Sequence, residues 1–174
     1  MLERVRAFDH RVDALVDPVR RPALDPVFYG LSSAADHGLL WLFVGAARAA
    51  RVGDPGIALR MGAALGVESA LTNGPIKACF RRVRPADDHP PGGPLPYGMH
   101  RPISSSFPSG HAVSAFTAAM LLAGSPATPL WFALAATVAA SRVYTKMHHT
   151  SDVVAGAALG IALGAIARRV VPLR

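Results

Sequence analysis

Hydrophobic and polar positions alternate at helical spacing at the start of the chain, and long apolar runs follow. Over residues 1–25, apolar side chains recur every three or four positions among Arg and Asp, which predicts an amphipathic helix. This stretch is too polar to cross a bilayer, so we expect it to lie in the plane of the membrane interface. Pro18 and Pro22 are expected to break it.

Five apolar segments follow and predict an all-α helical bundle in a membrane. Their approximate bounds are 26–48, 57–80, 108–124, 129–144 and 152–171. Small residues recur throughout these segments, and small faces allow helices to pack closely in lipid. We therefore expect one domain over residues 1–174, in which about five transmembrane helices form a core over residues 26–174.

Composition narrows the class of protein. The chain is 51% apolar and only 17% charged, below the roughly 25% charged residues of soluble domains. Its net charge of +7 favours anionic partners, namely membrane phospholipids or a phosphorylated lipid. No nucleic-acid-binding module is visible, so nucleic acid is not an expected partner. Abundant Ala and Arg indicate a GC-rich bacterial genome, and hence a bacterial cell membrane.

Three polar stretches, 77–85, 108–111 and 141–152, lie at or beside the ends of apolar segments. If all five segments cross the membrane, these junctions lie on one face of it. Together they contain cations, a helix start and two imidazoles. Phosphoryl transfer needs such groups to neutralise the phosphate oxygens, attack phosphorus and protonate the leaving oxygen.

Each stretch contributes a different part of this chemistry. Lys77, Arg84 and Arg142 can neutralise phosphate, since Arg binds it through two hydrogen bonds and Lys acts as a point charge. Ser109 is placed to cap a helix start, and Gly110 lets backbone approach an oxyanion closely. The N–H groups of a helix start favour phosphate.

Three histidines are candidates for catalysis. His111 lies in the turn after Gly110 and can protonate a leaving alkoxide. His148 and Asp152 are four residues apart, so a carboxylate can fix one ring nitrogen and leave the other free to attack. A covalent phosphohistidine follows from that arrangement. His149 is the rival nucleophile, but the residue four positions later is an apolar valine.

Other polar residues receive less specific predictions. We interpret His37 and Asp36 as a local polar pair or a contact to a lipid headgroup. Glu68 is expected to point into the bundle and pair there, because a carboxylate facing lipid is costly. Asp87 and Asp88 can attract a cation, but a two-metal phosphatase needs more converging carboxylates. We expect no metal and no cofactor.

At these residues the chain resembles the type 2 phosphatidic acid phosphatase family. That family carries K-x6-R-P, P-S-G-H and S-R-x5-H-x3-D, and all three motifs are present here without departure. The resemblance implies a metal-independent membrane lipid phosphatase with a helical core. The roles that it implies are phosphate binding by Lys77, Arg84, Ser109, Gly110 and Arg142, acid catalysis by His111, nucleophilic attack by His148, and support of that nucleophile by Asp152.

The chain is similar to compact actinobacterial members of that family, which include decaprenyl-phosphoryl-phosphoribose phosphatases. A polyprenyl-linked phosphate of cell-wall synthesis is the substrate that this implies. Undecaprenyl diphosphate, phosphatidylglycerophosphate and phosphatidic acid are alternatives. Vanadium haloperoxidases share the phosphate cradle but are soluble and far larger. A non-catalytic, phospholipid-binding membrane protein is the alternative from another class. The distribution of Arg and Lys favours a cytoplasmic site.

Overall fold

The chain folds into an all-helical bundle in a computed structural model, which describes residues 2–85, 102 and 104–173. Its helices are α1 (Leu2–Val16), α2 (Asp25–Ala34), α3 (Leu39–Val52), α4 (Pro55–Leu71), α5 (Gly110–Leu122), α6 (Thr128–Tyr144) and α7 (Thr150–Val170). Helix α5 lies at the centre and packs against α4, α6 and α7. Most of its residues are buried. The predicted all-α class is confirmed.

Large apolar side chains cover much of the outer surface of this bundle. Phe43 on α3, Leu59 on α4 and Val170 on α7 are 72%, 74% and 74% exposed. Extensive apolar exposure of this kind marks a surface that contacts lipid or a partner. Among the described helices, α7 is long and apolar enough to cross a membrane, and α5 is a shorter apolar helix. The predicted number of five spans remains a prediction.

The hydrophobicity of the first apolar segment suggested one continuous helix, but the structure divides this segment into two helices. Helix α2 ends at Ala34, and a 3₁₀ turn over Asp36–Gly38 separates it from α3. His37 and Gly38 adopt positive φ values of 52° and 75°, which a continuing right-handed helix cannot contain. This turn reaches the start of α5 and brings Asp36 to the end of the bundle that carries the three motifs.

The second apolar segment ends in an irregular turn. Helix α4 stops at Leu71, and a π-helical turn continues over Thr72–Ile76 with Pro75 inside it. Proline lacks an N–H group and clashes with the preceding turn of a regular α-helix, which explains the widened geometry. Lys77 follows directly and lies beside the start of α5.

Three glycines of α7 bring it against the backbone of α5. A Cβ at Gly156 would lie 2.7 Å from the Ser109 carbonyl oxygen, and one at Gly160 would overlap that of Val113. Gly164 is equally close to the next turn of α5. Only glycine permits this approach. The second and third motifs, which start α5 and α7, therefore lie side by side.

The predicted N-terminal amphipathic helix is present as α1, which packs on α6 and α7 at the motif end of the bundle. Val5, Val12 and Val16 on its inner side are half-buried, whereas Phe8 and Leu15 remain exposed. Asp9 shares the inner side and is buried. A 3₁₀ turn over residues 17–19 contains Pro18 and ends the stretch.

Candidate active site

A cavity of about 910 Å³ opens where α5 and α7 begin. Six of the eight predicted site residues line it: Lys77, Arg84, Gly110, His111, Arg142 and His148. The other two, Ser109 and Asp152, are fully buried beside it. Residues from all three sequence stretches therefore meet around one space, as their positions at the segment ends indicated.

His148 has a hydrogen-bond partner at each ring nitrogen. Its Nδ1 lies 2.7 Å from the carbonyl oxygen of Ser106. A carbonyl only accepts hydrogen bonds, so Nδ1 carries the proton and the lone pair is on Nε2. Arg84 Nη1 lies 3.2 Å from that Nε2. The same guanidinium can therefore contact a phosphate oxygen while Nε2 faces phosphorus.

Asp152 forms an ion pair with His148, the contact that the four-residue spacing predicted, while the Ser106 carbonyl accepts the shorter hydrogen bond from the ring. Asp152 Oδ2 lies 3.7 Å from His148 Nδ1, an ion-pair distance, and Ser106 occupies the hydrogen-bonding position instead. Asp152 Oδ2 accepts from the backbone N–H of His149 at 2.9 Å. The spacing argument placed the pair on a helix or its first turn, and α7 begins at Thr150, so His148 lies just before that turn.

Burial determines the charge state of His148. Removal from water lowers the pKa of this imidazole to about 4, and the positive charges of Arg142 and Arg84 act in the same direction. Asp152 opposes this shift in pKa without reversing it. The ring is therefore neutral at pH 7, which is the form with a nucleophilic lone pair.

The three cations are fixed by different parts of the fold. Arg84 donates from Nη1 to the carbonyl oxygen of Met147 at 2.7 Å, which ties the first motif to the third. Arg142 Nη1 donates to the hydroxyl of Ser32 on α2. Lys77 Nζ would lie 3.7 Å from a Cβ at Gly110. The missing side chain at Gly110 thus leaves room for an anion between a cation and a helix start.

His111 is oriented by α2 and the turn after it. Its Nε2 lies 3.3 Å from the Ser32 carbonyl oxygen and 3.6 Å from Asp36 Oδ1. Since the carbonyl accepts, Nε2 carries a proton, and Nδ1 is the nitrogen that can exchange one with substrate. Asp36 therefore contacts a candidate catalytic group as well as forming the predicted pair with His37.

Ser109 occupies the predicted N-cap position of α5 but does not cap it through its side chain. Its backbone N–H donates to the Asp152 carbonyl oxygen at 3.1 Å, which joins the second and third motifs. Its buried hydroxyl has no hydrogen-bond partner within the described part of the chain. Buried hydroxyls are normally paired, so this one is available to a ligand.

Two further predictions concern carboxylates away from the cations. Glu68 points into the bundle as expected and accepts hydrogen bonds from Ser114 Oγ at 2.7 Å and Thr72 Oγ1 at 3.0 Å. Asp87 and Asp88 lie outside the described residues. Among those that are described, no group of three His, Cys, Asp or Glu side chains comes together as a metal site.

A sequence model of the PAP2 superfamily matches residues 57–174, which include all three motifs. The chain belongs to the PAP2 superfamily. Decaprenylphosphoryl-5-phosphoribose phosphatase of Mycobacterium tuberculosis is 35% identical to it over 156 residues, which cover 88% of this chain and 82% of that relative. With its PAP2 membership and this phosphatase relative, the chain is a phosphoric ester hydrolase, and the enzyme prediction is confirmed.

Solved PAP2 structures share the fold. The crystal structure of a transmembrane PAP2-type phosphatidylglycerolphosphate phosphatase from Bacillus subtilis is similar, with a TM-score of 0.74 and 25% identity over 95% of this chain and 85% of that one. Aquifex aeolicus LpxE gives a TM-score of 0.68 and 25% identity over 91% and 93%. This PAP2 protein is accordingly a membrane phosphatase.

Several residues around the site were not predicted from the sequence. Ser32 and Ser106 act partly through backbone carbonyl groups, which no side-chain pattern reveals. Arg82 donates to Asp152 Oδ1 at 2.6 Å and lies between two motif residues. Asp9 bonds to Arg82. Its sequence signal is a carboxylate on the same face of the amphipathic helix as Val5, Val12 and Val16.

Proposed function

We propose that this protein is a multi-pass phosphatase of the bacterial cell membrane that hydrolyses a polyprenyl-linked phosphomonoester. Decaprenylphosphoryl-5-phosphoribose is the substrate that we favour. The observation that carries the proposal is the cavity in which a neutral imidazole, three cations and a second imidazole meet. The names of the mycobacterial relatives supply the choice of lipid.

Hydrolysis proceeds in two steps in this proposal. The lone pair on Nε2 of His148 forms an N–P bond while the P–O bond to the leaving alkoxide breaks. Protonated His111 donates to that alkoxide. Water then attacks phosphorus, gives its proton to His111 and breaks the N–P bond, which releases inorganic phosphate and restores His148. Lys77, Arg84 and Arg142 neutralise the equatorial oxygens throughout.

Two buried groups complete the phosphate cradle in this mechanism. The unpaired Ser109 hydroxyl donates to a phosphate oxygen. The backbone N–H of Gly110 is among the first of α5, which have no partner inside the helix, and donates to the same group. Asp152 favours the imidazolium that develops in the first step through its charge, 3.7 Å from Nδ1. The mechanism uses the charges of the chain and no metal.

The cavity supports a substrate larger than a phosphate. The lining also includes the polar residues Asp36, His37, Ser69 and Asn73, which suit the hydroxyl groups of a sugar. Apolar residues such as Leu42 also line it, and they suit a lipid tail. This combination favours a phosphosugar lipid over phosphatidic acid, whose headgroup has no hydroxyl.

A phosphate-release assay on the purified protein tests this function. We expect decaprenylphosphoryl-5-phosphoribose to be hydrolysed faster than undecaprenyl diphosphate, phosphatidylglycerophosphate or phosphatidic acid at equal mole fraction in detergent. Vanadate should inhibit, because it adopts the geometry of the phosphoryl group in transit. EDTA should leave the rate unchanged. Strong inhibition by EDTA would contradict the metal-independent mechanism. Faster hydrolysis of another of these lipids would contradict the choice of decaprenylphosphoryl-5-phosphoribose as substrate.

The site faces the cytoplasm in this proposal, with α3 to α7 crossing the membrane. More basic residues lie at the site end of the bundle, including Arg4, Arg6 and Arg11 of α1, than at the opposite end. The single cysteine, Cys79, is exposed and follows Lys77 by two residues. We expect a membrane-impermeant maleimide to label Cys79 in lysed cells but not in intact ones. Equal labelling in intact cells would place the site outside.

A further inference from the structure

A carboxylate on α1 is buried against the third motif. Asp9 is 3% exposed. Its Oδ1 accepts from the Ser151 backbone N–H at 2.8 Å, and its Oδ2 accepts from the Ser151 hydroxyl at 2.8 Å. Ser151 is the second residue of α7, so Asp9 satisfies one of the free N–H groups at the start of that helix.

Arg82 joins this carboxylate to the one beside the nucleophile. Its Nη2 donates to Asp9 Oδ2 at 2.6 Å, and its Nη1 donates to Asp152 Oδ1 at 2.6 Å. A planar guanidinium has donors in fixed directions, so holding both carboxylates fixes the position of each relative to the other. The contacts continue from Asp152 to His148 Nδ1 at 3.7 Å.

Anchoring of α1 alone does not account for this arrangement. A buried carboxylate is costly unless it is fully paired, and an apolar residue at the same place packs without that cost. Helix α1 and its extension also have a second attachment, since Lys146 Nζ lies 3.6 Å from Asp13 and 2.5 Å from Asp17. Asp9 differs from this attachment because it is linked to Asp152, a predicted site residue, through Arg82.

We propose that Asp9 and Arg82 are positioning residues that hold Asp152, and through it His148, in the orientation for attack. This inference rests on the proposed catalytic roles of His148 and Asp152. The matched PAP2 region begins at residue 57, so Asp9 brings the N-terminal helix, which lies outside that region, into the active site. Arg82 Nη1 also donates to the Ser151 hydroxyl at 2.7 Å, so loss of Asp9 removes the partner of Nη2 and weakens the constraint on the guanidinium that holds Asp152.

Substitution of Asp9 by Asn tests the inference. Asn keeps the size and one acceptor oxygen but replaces the other with an NH₂ group that faces a guanidinium. We expect Asp9→Asn to lower kcat by about 10- to 100-fold, the scale for partners that orient a functional ligand, with less than a threefold change in KM. Arg82→Lys should act similarly, because a single ammonium cannot replace the fork.

Asp13→Asn is the matched control on the same helix. It removes a carboxylate that holds α1 to Lys146 without touching Arg82. We expect its kcat to stay within threefold of the unmodified protein. An equal fall in Asp13→Asn and Asp9→Asn would mean that any loosening of α1 slows the reaction, and would overturn the specific role.

Combination with Asp152→Asn distinguishes an effect through Asp152 from an independent one. If Asp9 acts through Asp152, adding Asp9→Asn to Asp152→Asn should lower kcat no further. Multiplying losses would contradict the inference. Each variant is assayed at the same interval below its own thermal midpoint of unfolding. If Asp9→Asn does not fold, Arg82→Lys takes its place in the comparison.

An NMR measurement separates failure of this inference from failure of the proposed function. In protein labelled with ¹³C in its imidazoles, the His148 signal, assigned with His148→Asn, should shift in Asp9→Asn and Arg82→Lys and stay in place in Asp13→Asn. This signal is readable even if decaprenylphosphoryl-5-phosphoribose is not hydrolysed. An unchanged signal in all three variants would overturn the positioning role.

Discussion

Replacing His148 with Asn lowers kcat on the order of 10⁶-fold, the loss that follows removal of a covalent nucleophile. Asn places its amide nitrogen where Nδ1 lies, so the hydrogen bond to the Ser106 carbonyl oxygen survives and the pocket keeps its shape. The variant has no nitrogen at the position of Nε2. The measurements are steady-state phosphate release and the trapping of a ³²P-labelled phosphoenzyme, which should be absent.

The control for this prediction is the neighbouring histidine. His149 Nε2 lies 3.2 Å from the Val83 carbonyl oxygen, and His149 does not line the cavity. His149→Gln keeps a nitrogen near that position and should retain kcat within about threefold. If His148→Asn still forms a phosphoenzyme and His149→Gln does not, then His149 is the nucleophile and the proposed mechanism is contradicted.

The second large effect is expected at His111. Gln places an amide nitrogen near the position of Nε2 and can keep the hydrogen bond to the Ser32 carbonyl oxygen, but it cannot act as an acid. We expect His111→Gln to lower kcat for an alkyl phosphate lipid by about 10²- to 10⁴-fold, the usual contribution of general acid catalysis.

The leaving group tests whether that loss concerns proton transfer. A 4-nitrophenolate departs without protonation, so His111→Gln should cost far less with 4-nitrophenyl phosphate than with the lipid. Similar losses with both substrates would show that His111 binds phosphate instead of protonating the leaving oxygen. Arg142→Lys serves as a comparison, because weakening a cation is expected to affect both substrates alike.

The neutral state of His148 depends on its surroundings more than on its neighbours in sequence. Burial and two guanidinium groups lower the pKa of the ring, and the Ser106 carbonyl selects the tautomer. Asp152 opposes the shift but has its own hydrogen bonds to satisfy. We infer that its function is to hold charge near Nδ1 when the imidazolium develops, which makes the orientation of Asp152 important.

The helical class could be predicted because apolar periodicity and segment length reflect local chain geometry. The break at His37 and Gly38 could not, since an apolar run does not indicate a positive φ. The close packing of α7 against α5 is indicated in the sequence only by the four-residue spacing of the glycines in α7. Such a spacing leads to close packing only when another helix lies opposite the glycines, and in this structure they face the backbone of α5.

The candidate site was found from sequence because its residue types and spacings are specific even when far apart. Six of the predicted residues line one cavity. The predicted contact between His148 and Asp152 is present as an ion pair, but the ring donates its hydrogen bond to the Ser106 carbonyl oxygen, which no spacing in the sequence indicated. The contributions of Ser32, Ser106 and Asp9 were missed, since each depends on a partner more than 40 residues away.

The residues alone were enough to predict the chemistry of this protein: its cations and imidazoles, their places at the ends of apolar segments, and its family. These properties follow from residue identity and local periodicity, which need no knowledge of long-range contacts. Three features required the folded chain: the His148 nitrogen that carries the lone pair, the groups that hold Asp152, and the contact of α1 with the site. Those features depend on hydrogen bonds a few ångströms long between distant parts of the chain, which the packing of the helices alone sets.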